Sequence, residues 1–476
     1  MTRSRSPVAS PKAASPLAPL RRRDFALLWA GSLVSNVGSW MQTVAVGALV
    51  TADTGRATWT VLVAAGAFLP IGLLSPVGGA LADRLDRKRW LIIGNVVEVA
   101  LAMVLAALVY AGDTGPALLT LVVTAQGCVT ALILPFQSAI LPDLVPRSEF
   151  LSAASLNSAQ FNMGRVIGPA AAGVTVAAFG YGTAFVANAV SFLAVVIALC
   201  FIRLAPPAAT SAQRLWSTIR SGARAAFAEP ACRAAIVLIA VVALLASPFI
   251  ALVPAVARSL TNGSKSSVAE ATAALTTAQG IGAVLGALAI APLAAAFGRG
   301  RVLVGQLAAL SIALIGYALT PSLVLAAVAL TVVGAIYIGV LSGLQTVVQL
   351  RAPDEFRGRI LGIYLVALGV VYPVGALLQG PLADRIGLPV TTTLFATGLL
   401  VVLALTGVFR PDTLRVLGED LPQVALTPVL EGGEAAVEAP GVTPGYQPGR
   451  RGDQNGPVPE RVDEVAGGVP NAEEPR

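Results

Sequence analysis

The chain has 476 residues, of which 56% are hydrophobic and only 12% charged, and its mean hydropathy is +0.79. A soluble chain of this length carries about twice that charged share, so a soluble enzyme, a coiled coil and a disordered chain are excluded. The net charge of +7 hides a split, with 26 Lys+Arg against 13 Asp+Glu in residues 1–409 and 6 against 12 in residues 410–476. A basic excess in a membrane chain marks cytoplasmic loops rather than nucleic-acid binding.

Twelve apolar spans are predicted, at 25–50, 59–82, 90–111, 115–140, 155–179, 182–202, 233–256, 271–297, 302–320, 322–349, 359–380 and 388–409. Each is long enough to cross ~30 Å of hydrocarbon as a helix, and none alternates as a membrane β-strand does. Residues 1–20 are rich in Ser, Pro and Ala and are predicted to be a disordered cytoplasmic N-terminus. Span 1 is too long for a signal-peptide core and no small-residue cleavage site closes it, so it is read as a retained helix. It carries a polar stripe, Ser32, Asn36, Ser39 and Thr43, whose spacing puts the four on one helix face. Polar groups avoid lipid, so that face is predicted to point inward.

Span 2 ends in Gly79-Ala80-Leu81-Ala82-Asp83-Arg84-Leu85-Asp86-Arg87-Lys88-Arg89. Gly79 is expected to permit close helix approach. Glu98 in span 3 and Arg165 in span 5 are charges deep in apolar segments, and such charges default to a functional or paired role. Glu98 is a candidate proton carrier, and equally a structural partner, with Arg165 as one candidate. Span 4 offers Thr124 and Gln137, and span 10 offers Ser342, Gln345 and Gln349. Span 5 contains Gly164-Arg165-Val166-Ile167-Gly168-Pro169-Ala170-Ala171-Ala172-Gly173, a small-residue face with a proline, suited to tight packing against the opposite half.

Residues 203–232 form a cytoplasmic linker. Apolar positions 215, 216, 219, 223 and 227 with Arg220 and Arg224 fit either an amphipathic helix on the inner leaflet or a solvated connector. The domains are therefore read as an N-terminal six-helix bundle (21–202), the linker, a C-terminal six-helix bundle (233–409) and a disordered acidic, Pro/Gly-rich cytoplasmic tail (410–476). Placing both termini inside puts 21 Lys+Arg in the inside segments before the tail and 4 in the outside loops, as the positive-inside rule requires.

The halves also repeat. Glu149-Phe150 and Gly180 recur as Glu355-Phe356 and Gly387, and Leu81 through Arg89 aligns with Leu293 through Arg301, although Ala295 stands where Asp83 would be. Parallel six-helix repeats suit a two-domain transporter. Cys128, Cys200 and Cys232 form no close-spaced motif and there is no His. No metal site, His relay or resident cofactor is therefore expected, and no catalytic constellation appears. No Gly-x-x-x-x-Gly-Lys-Ser/Thr loop supports direct ATP drive.

The loop from Gly79 to Arg89 resembles the signature of the major facilitator superfamily, with Asp86 in place of the usual Gly. That variant, with Leu141-Pro142-Asp143-Leu144-Val145-Pro146 and the run through Asn157 to Pro169, is similar to the drug-exporter branch that includes macrolide-efflux and enterobactin-exporter proteins. The resemblance covers about residues 20–410. It implies two pseudo-symmetric six-helix bundles, and a cavity lined by spans 1, 4, 7 and 10. It also implies a conformational latch built from Gly79, Asp83, Arg84, Arg87, Lys88 and Arg89, in which Asp83 contacts the N-terminus of span 11 near Arg357-Gly358-Arg359. Gly164, Arg165, Gly168, Pro169 and Gly173 resemble the family's antiporter motif, with Ala172 replacing one Gly, which implies efflux by exchange. The expected protein is a monomeric, multi-pass transporter of the bacterial inner membrane. Its partners are a small lipophilic, drug- or siderophore-like substrate, the proton as coupling ion, and the bilayer. Two competing readings are a metabolite importer of the same fold and a non-transporting receptor or chaperone.

Overall fold

The computed structural model describes residues 15–203 and 215–418. Expectations for 1–14, 204–214 and 419–476 lie outside the described residues. Every regular element among the described residues is helical.

In chain order the helices are α1 (Arg23–Thr54), α2 (Ala57–Ala82), α3 (Arg87–Tyr110), α4 (Pro116–Leu144), α5 (Phe150–Phe201), α6 (Leu215–Ala228) and α7 (Pro230–Leu245). They continue with α8 (Phe249–Ser259), α9 (Lys265–Phe297), α10 (Arg299–Ala318), α11 (Leu323–Arg351), α12 (Arg357–Ile386), α13 (Leu388–Phe409) and α14 (Pro411–Gly418). Among the described residues, 11 helices are long and apolar enough to cross a membrane. One of these stretches, from Arg147 to Phe201, has 55 residues, more than twice the ~20 that one span needs. It holds two spans, because Gly180 sits inside α5 at φ 82° and ψ 170°, a conformation that glycine adopts without the steric cost other residues bear. The chain reverses there, and twelve spans result. Another predicted span, 233–256, is broken in two: Ala246 ends α7, Pro248 precedes α8, and Ser247 Oγ donates back to the Val242 carbonyl (3.2 Å).

Two edges differ from expectation. Ala18–Arg21 is a short 3-10 turn with Pro19 buried, and α14 is helical with Leu417 buried. Each end is held by an apolar side chain that polar composition alone conceals.

α1 and α5 run side by side in one register. Arg22 pairs with Glu149, Trp29 Nε1 donates to the Leu156 carbonyl (2.9 Å), and a Cβ on Gly164 or Gly168 would meet Asn36 Cβ (2.8 Å) or Trp40 Cβ (2.5 Å). Over this first stretch of α5 the offset stays at 127 to 128 residues. In the second half α9, α10, α11 and α13 pack around a core containing Leu307, Leu330, Val340 and Leu399. The two halves meet along α2 against α12 and α5 against α9. Large apolar side chains stay exposed around the outside, among them Leu121, Val174, Leu288 and Val408, as a bundle solvated by lipid requires.

Candidate functional site

A cavity of about 720 Å³ lies between the halves. It runs from Phe25 and Leu144, at the end of the bundle bearing α1's first residue, toward Val63 and Thr272 near the opposite end. The opposite end is shut by bonds between the halves. Asp384 of α12 accepts from Ala57 N (2.6 Å), Thr58 N (3.0 Å) and Thr58 Oγ1 (2.5 Å) of α2. Arg258 Nη1 donates to the Ala52 carbonyl (2.8 Å), Lys265 pairs with Asp53 (2.6 Å), and Tyr181 Oη donates to the Lys265 carbonyl (2.7 Å). An apolar cluster of Ala57, Val61, Leu252, Tyr372 and Ala376 lies beneath them. The cavity is therefore closed at one end and reaches the other.

Ser32, Asn36, Ser39 and Thr43 all line it, as do Trp40 and Gln137. Thr124 does not: its hydroxyl donates to the Thr120 carbonyl (2.7 Å) on its own helix, on a face packed against Gly66 of α2. Ser342, Gln345 and Gln349 are also absent from the wall. α11 turns its small and apolar face, including Gly334 and Gly339, into tight contact with α9 and α10, and Gln349 is exposed. The second half instead contributes Pro254 of α8, Thr272 and Thr276 of α9 and Tyr372 of α12.

Glu98 is 1% exposed and belongs to the cavity wall beside Gln126 and Thr130. Thr130 Oγ1 donates to Glu98 Oε1 (2.7 Å). Behind it runs a chain of amides: Asn188 Nδ2 donates to Gln42 Oε1 (2.9 Å), and Gln42 Nε2 donates to Gln126 Oε1 (2.8 Å). Gln42 flanks the polar stripe of span 1, whereas Gln126 and Asn188 went unrecognised in the sequence, where a lone amide in an apolar span has no periodic signal. Arg165 does not pair with Glu98. Its guanidinium lies 5.8 Å from the centre of the Trp40 ring, within electrostatic reach of Tyr337 and Tyr372. A cation over an aromatic face is attracted by the ring quadrupole.

The span-5 glycines are all places of close approach, but mostly within their own half. Gly164 and Gly168 face α1, and Gly173 alone of the three faces α9, where its Cβ would lie 2.9 Å from Ala273 Cβ. Pro169 is buried between them.

The loop after α2 divides its work. Asp86 caps α3, accepting from Arg89 N (3.0 Å). Arg87 Nη1 donates to the Ala139 carbonyl and to Asp143, both at 3.0 Å, and Lys88 Nζ donates to the Ile202 carbonyl (2.8 Å). These bonds tie α3 to α4 and α5 within one half. Arg84 and Asp83 are exposed, and among the described residues the Asp83 carboxylate has no hydrogen-bond or ion-pair partner. The expected contact with the start of α12 is thus not made in this structure. A Cβ on Gly79 would meet nothing within 4 Å, whereas one on Gly78 would lie 2.7 Å from the Leu132 carbonyl. The close helix approach belongs to Gly78, one residue earlier than expected. Nearby, the Arg22 guanidinium donates twice to Glu149, both at 2.8 Å, and holds its carboxyl below the usual carboxylate value.

Residues 14–420 match the transmembrane secretion effector family. The chain belongs to it, and is a major facilitator superfamily transporter. The multidrug efflux pump Tap of Mycolicibacterium fortuitum is 26% identical over 400 residues, covering 82% of this chain and 96% of Tap. The staphyloferrin A transporter of Staphylococcus aureus is 31% identical over 36% of this chain and 44% of its own. Macrolide efflux protein A of Streptococcus pyogenes is 27% identical over 31% and 36%. Among solved structures, nucleoside transporter NupG superposes with a TM-score of 0.64 at 16% identity, covering 81% of this chain and 99% of its own. A bacterial homolog of the lysosomal transporter Spinster, solved inward-facing and unoccupied, gives 0.59 at 17% identity over 83% and 96%. At such identities the likeness shows the shared fold. In a transporter of this fold, a central cavity closed at one end is one side of an alternating-access cycle.

Proposed function

We propose that this transporter exports small lipophilic compounds, drug- or siderophore-like, across the bacterial inner membrane by proton-coupled alternating access, as a monomer with both termini cytoplasmic. The cavity carries the reading. It is bounded mainly by apolar and aromatic side chains, holds a few convergent polar groups and has one buried carboxyl in its wall. The Lys+Arg asymmetry of the loops supports cytoplasmic termini, and the open end then faces the cytoplasm, where an exported compound enters. The similarity to the multidrug efflux pump Tap, macrolide efflux protein A and the staphyloferrin A transporter supports a small-molecule substrate.

Glu98 is the proton carrier in this reading. It binds a proton when the cavity opens outward and releases it inward, while Thr130 and Gln126 stand ready to stabilise the ionised carboxylate. Asp83 is the cytoplasmic latch of the outward-open state. A carboxylate at a helix N-terminus is favoured by free N–H groups and by the helix dipole, so closing the cytoplasmic face onto α12 would give Asp83 partners there.

Uptake of a lipophilic dye into inverted membrane vesicles with an acid-inside pH gradient tests the reading. Gradient-dependent accumulation in the inverted vesicles is expected, and accumulation only in right-side-out vesicles means import. Glu98→Gln is expected to abolish substrate-driven proton flux, and normal coupling in that variant excludes the carrier role.

A further inference from the structure

The hexapeptide pattern at the end of α2, Gly79-Ala80-Leu81-Ala82-Asp83-Arg84, recurs at the end of α12 as Gly380-Pro381-Leu382-Ala383-Asp384-Arg385. The two helices are antiparallel neighbours, so the two copies lie at opposite ends of one helix pair. We propose that Asp83 and Asp384 are a mirrored pair of latches, and that Asp384 is the positioning residue holding the inward-open state, as Asp83 holds the outward-open one.

The register of the pair carries the argument. At the far end Asp384 caps the first residues of α2, Ala57 and Thr58. In the middle, Gly72 and Gly369 meet backbone to backbone: a Cβ on Gly72 would lie 2.9 Å from the Gly369 carbonyl carbon. The residue numbers of both facing pairs, 57 with 384 and 72 with 369, add to 441. Continued to the other end, the same register sets Asp83 level with Gly358, in the first turn of α12 (Arg357–Ile386). Each helix therefore ends in an aspartate at the height of the other's N-terminus. Only one of the two is seated. Asp384 accepts three hydrogen bonds, while among the described residues Asp83 has no partner and a Cβ on Gly79 or Gly358 would meet open space.

A contact through glycine lets two helix backbones approach closely, so it can serve as a fulcrum. Rocking about Gly72 and Gly369 that brings Asp83 to the start of α12 draws Asp384 away from the start of α2. Each state then satisfies one set of orphan helix N–H groups with one carboxylate and leaves the other set to water. Such an exchange keeps the two states close in free energy, which a reversible carrier needs.

The proposal rests on alternating access of the two halves, and not on the substrate or direction of transport. Its test reads conformation alone. Full-length protein in lipid nanodiscs, with its native cysteines replaced, is spin-labelled at Asp113 and Pro321 for the far end, or at Ser148 and Arg299 for the near end. The positions are exposed and outside the latches. Asp384→Ala is expected to raise the ratio of outward-open to inward-open molecules about tenfold, equivalent to about 1.4 kcal/mol. Far-end distances lengthen and near-end distances shorten. Thr58→Ala, which removes one donor and leaves the backbone cap, is expected to shift the ratio the same way by less. Adding Asp83→Ala to Asp384→Ala is expected to bring the ratio back toward the parent's. An unchanged ratio in folded Asp384→Ala overturns the proposal, as does a double variant no closer to the parent than the single. Should Asp384→Ala not fold, the Thr58→Ala ratio decides alone: a shift toward outward-open upholds the latch, and no shift overturns it.

Discussion

The two ends of the α2–α12 pair carry the same six-residue pattern and are in opposite conditions. At one end Asp384 is engaged by two backbone N–H groups and a hydroxyl, over a closed apolar layer. At the other Asp83 is exposed and, among the described residues, unpaired, beside Gly79 and Gly358 with open space around them. Closely similar local chemistry therefore does not decide whether such an aspartate is engaged. In the proposed mechanism the tilt of the two halves does, because a carboxylate at a helix C-terminus acts only when another helix's N-terminus is brought to it.

The largest test of this contrast is Asp83→Asn. It removes the charge that the α12 N-terminus would attract, and transport is expected to fall by about tenfold or more while the protein still inserts. Undiminished transport in vesicles would sink the near-end latch and leave Asp384 without a counterpart. Gly72→Ala strikes the fulcrum shared by both ends. Its Cβ would meet the Gly369 and Val370 backbone at 2.9 and 3.0 Å, atoms that cannot rotate away, so a loss of about 1–3 kcal/mol is expected as a lowered thermal midpoint. A parent-like midpoint with normal cycling would remove the fulcrum from the comparison.

A smaller effect separates the two neighbouring glycines at the near end. Gly78→Ala is expected to destabilise, because its Cβ would press on the Leu132 and Ala131 carbonyls at 2.7 and 2.9 Å, whereas Gly79→Ala is expected to be silent in this state. Midpoints that rank the other way would contradict the packing described. The smallest effect is electrostatic. Arg22 holds the Glu149 carboxyl below its ordinary value, so the pair's contribution is present above the ordinary carboxylate range and is lost as pH falls through the lowered value. Replacing Glu149 by Gln is expected to flatten a shallow acid-side decline in the thermal midpoint. An unchanged acid slope would show that the pair adds nothing there.

Much of this was legible in the chain itself. Span length, the Lys+Arg asymmetry and the loop from Gly79 to Arg89 give the twelve helices and the superfamily, because crossing a bilayer demands long uninterrupted apolar helices whatever their neighbours are. The inward face of α1 was also legible, since its four polar residues repeat at helical spacing. Gly180 reads equally well from the sequence as a break and from its dihedral angles as one. Asp384 could have been found by comparing the ends of spans 2 and 11, but its partner on α2 could not, because it lies 327 residues away in sequence.

What only the tertiary structure decided is which polar groups meet. Thr124, Ser342, Gln345 and Gln349 have the same chemistry as residues on the cavity wall, yet helix rotation turns them elsewhere. Glu98 was visible as a deep carboxyl, but its neighbours Thr130, Gln126 and Gln42 come together only because α1, α3 and α4 pack side by side. Sequence determines what each helix can bury or expose. Helix rotation and tilt, set by side-chain volumes summed over the whole bundle, determine which groups share a wall and which of the two aspartates meets a helix N-terminus.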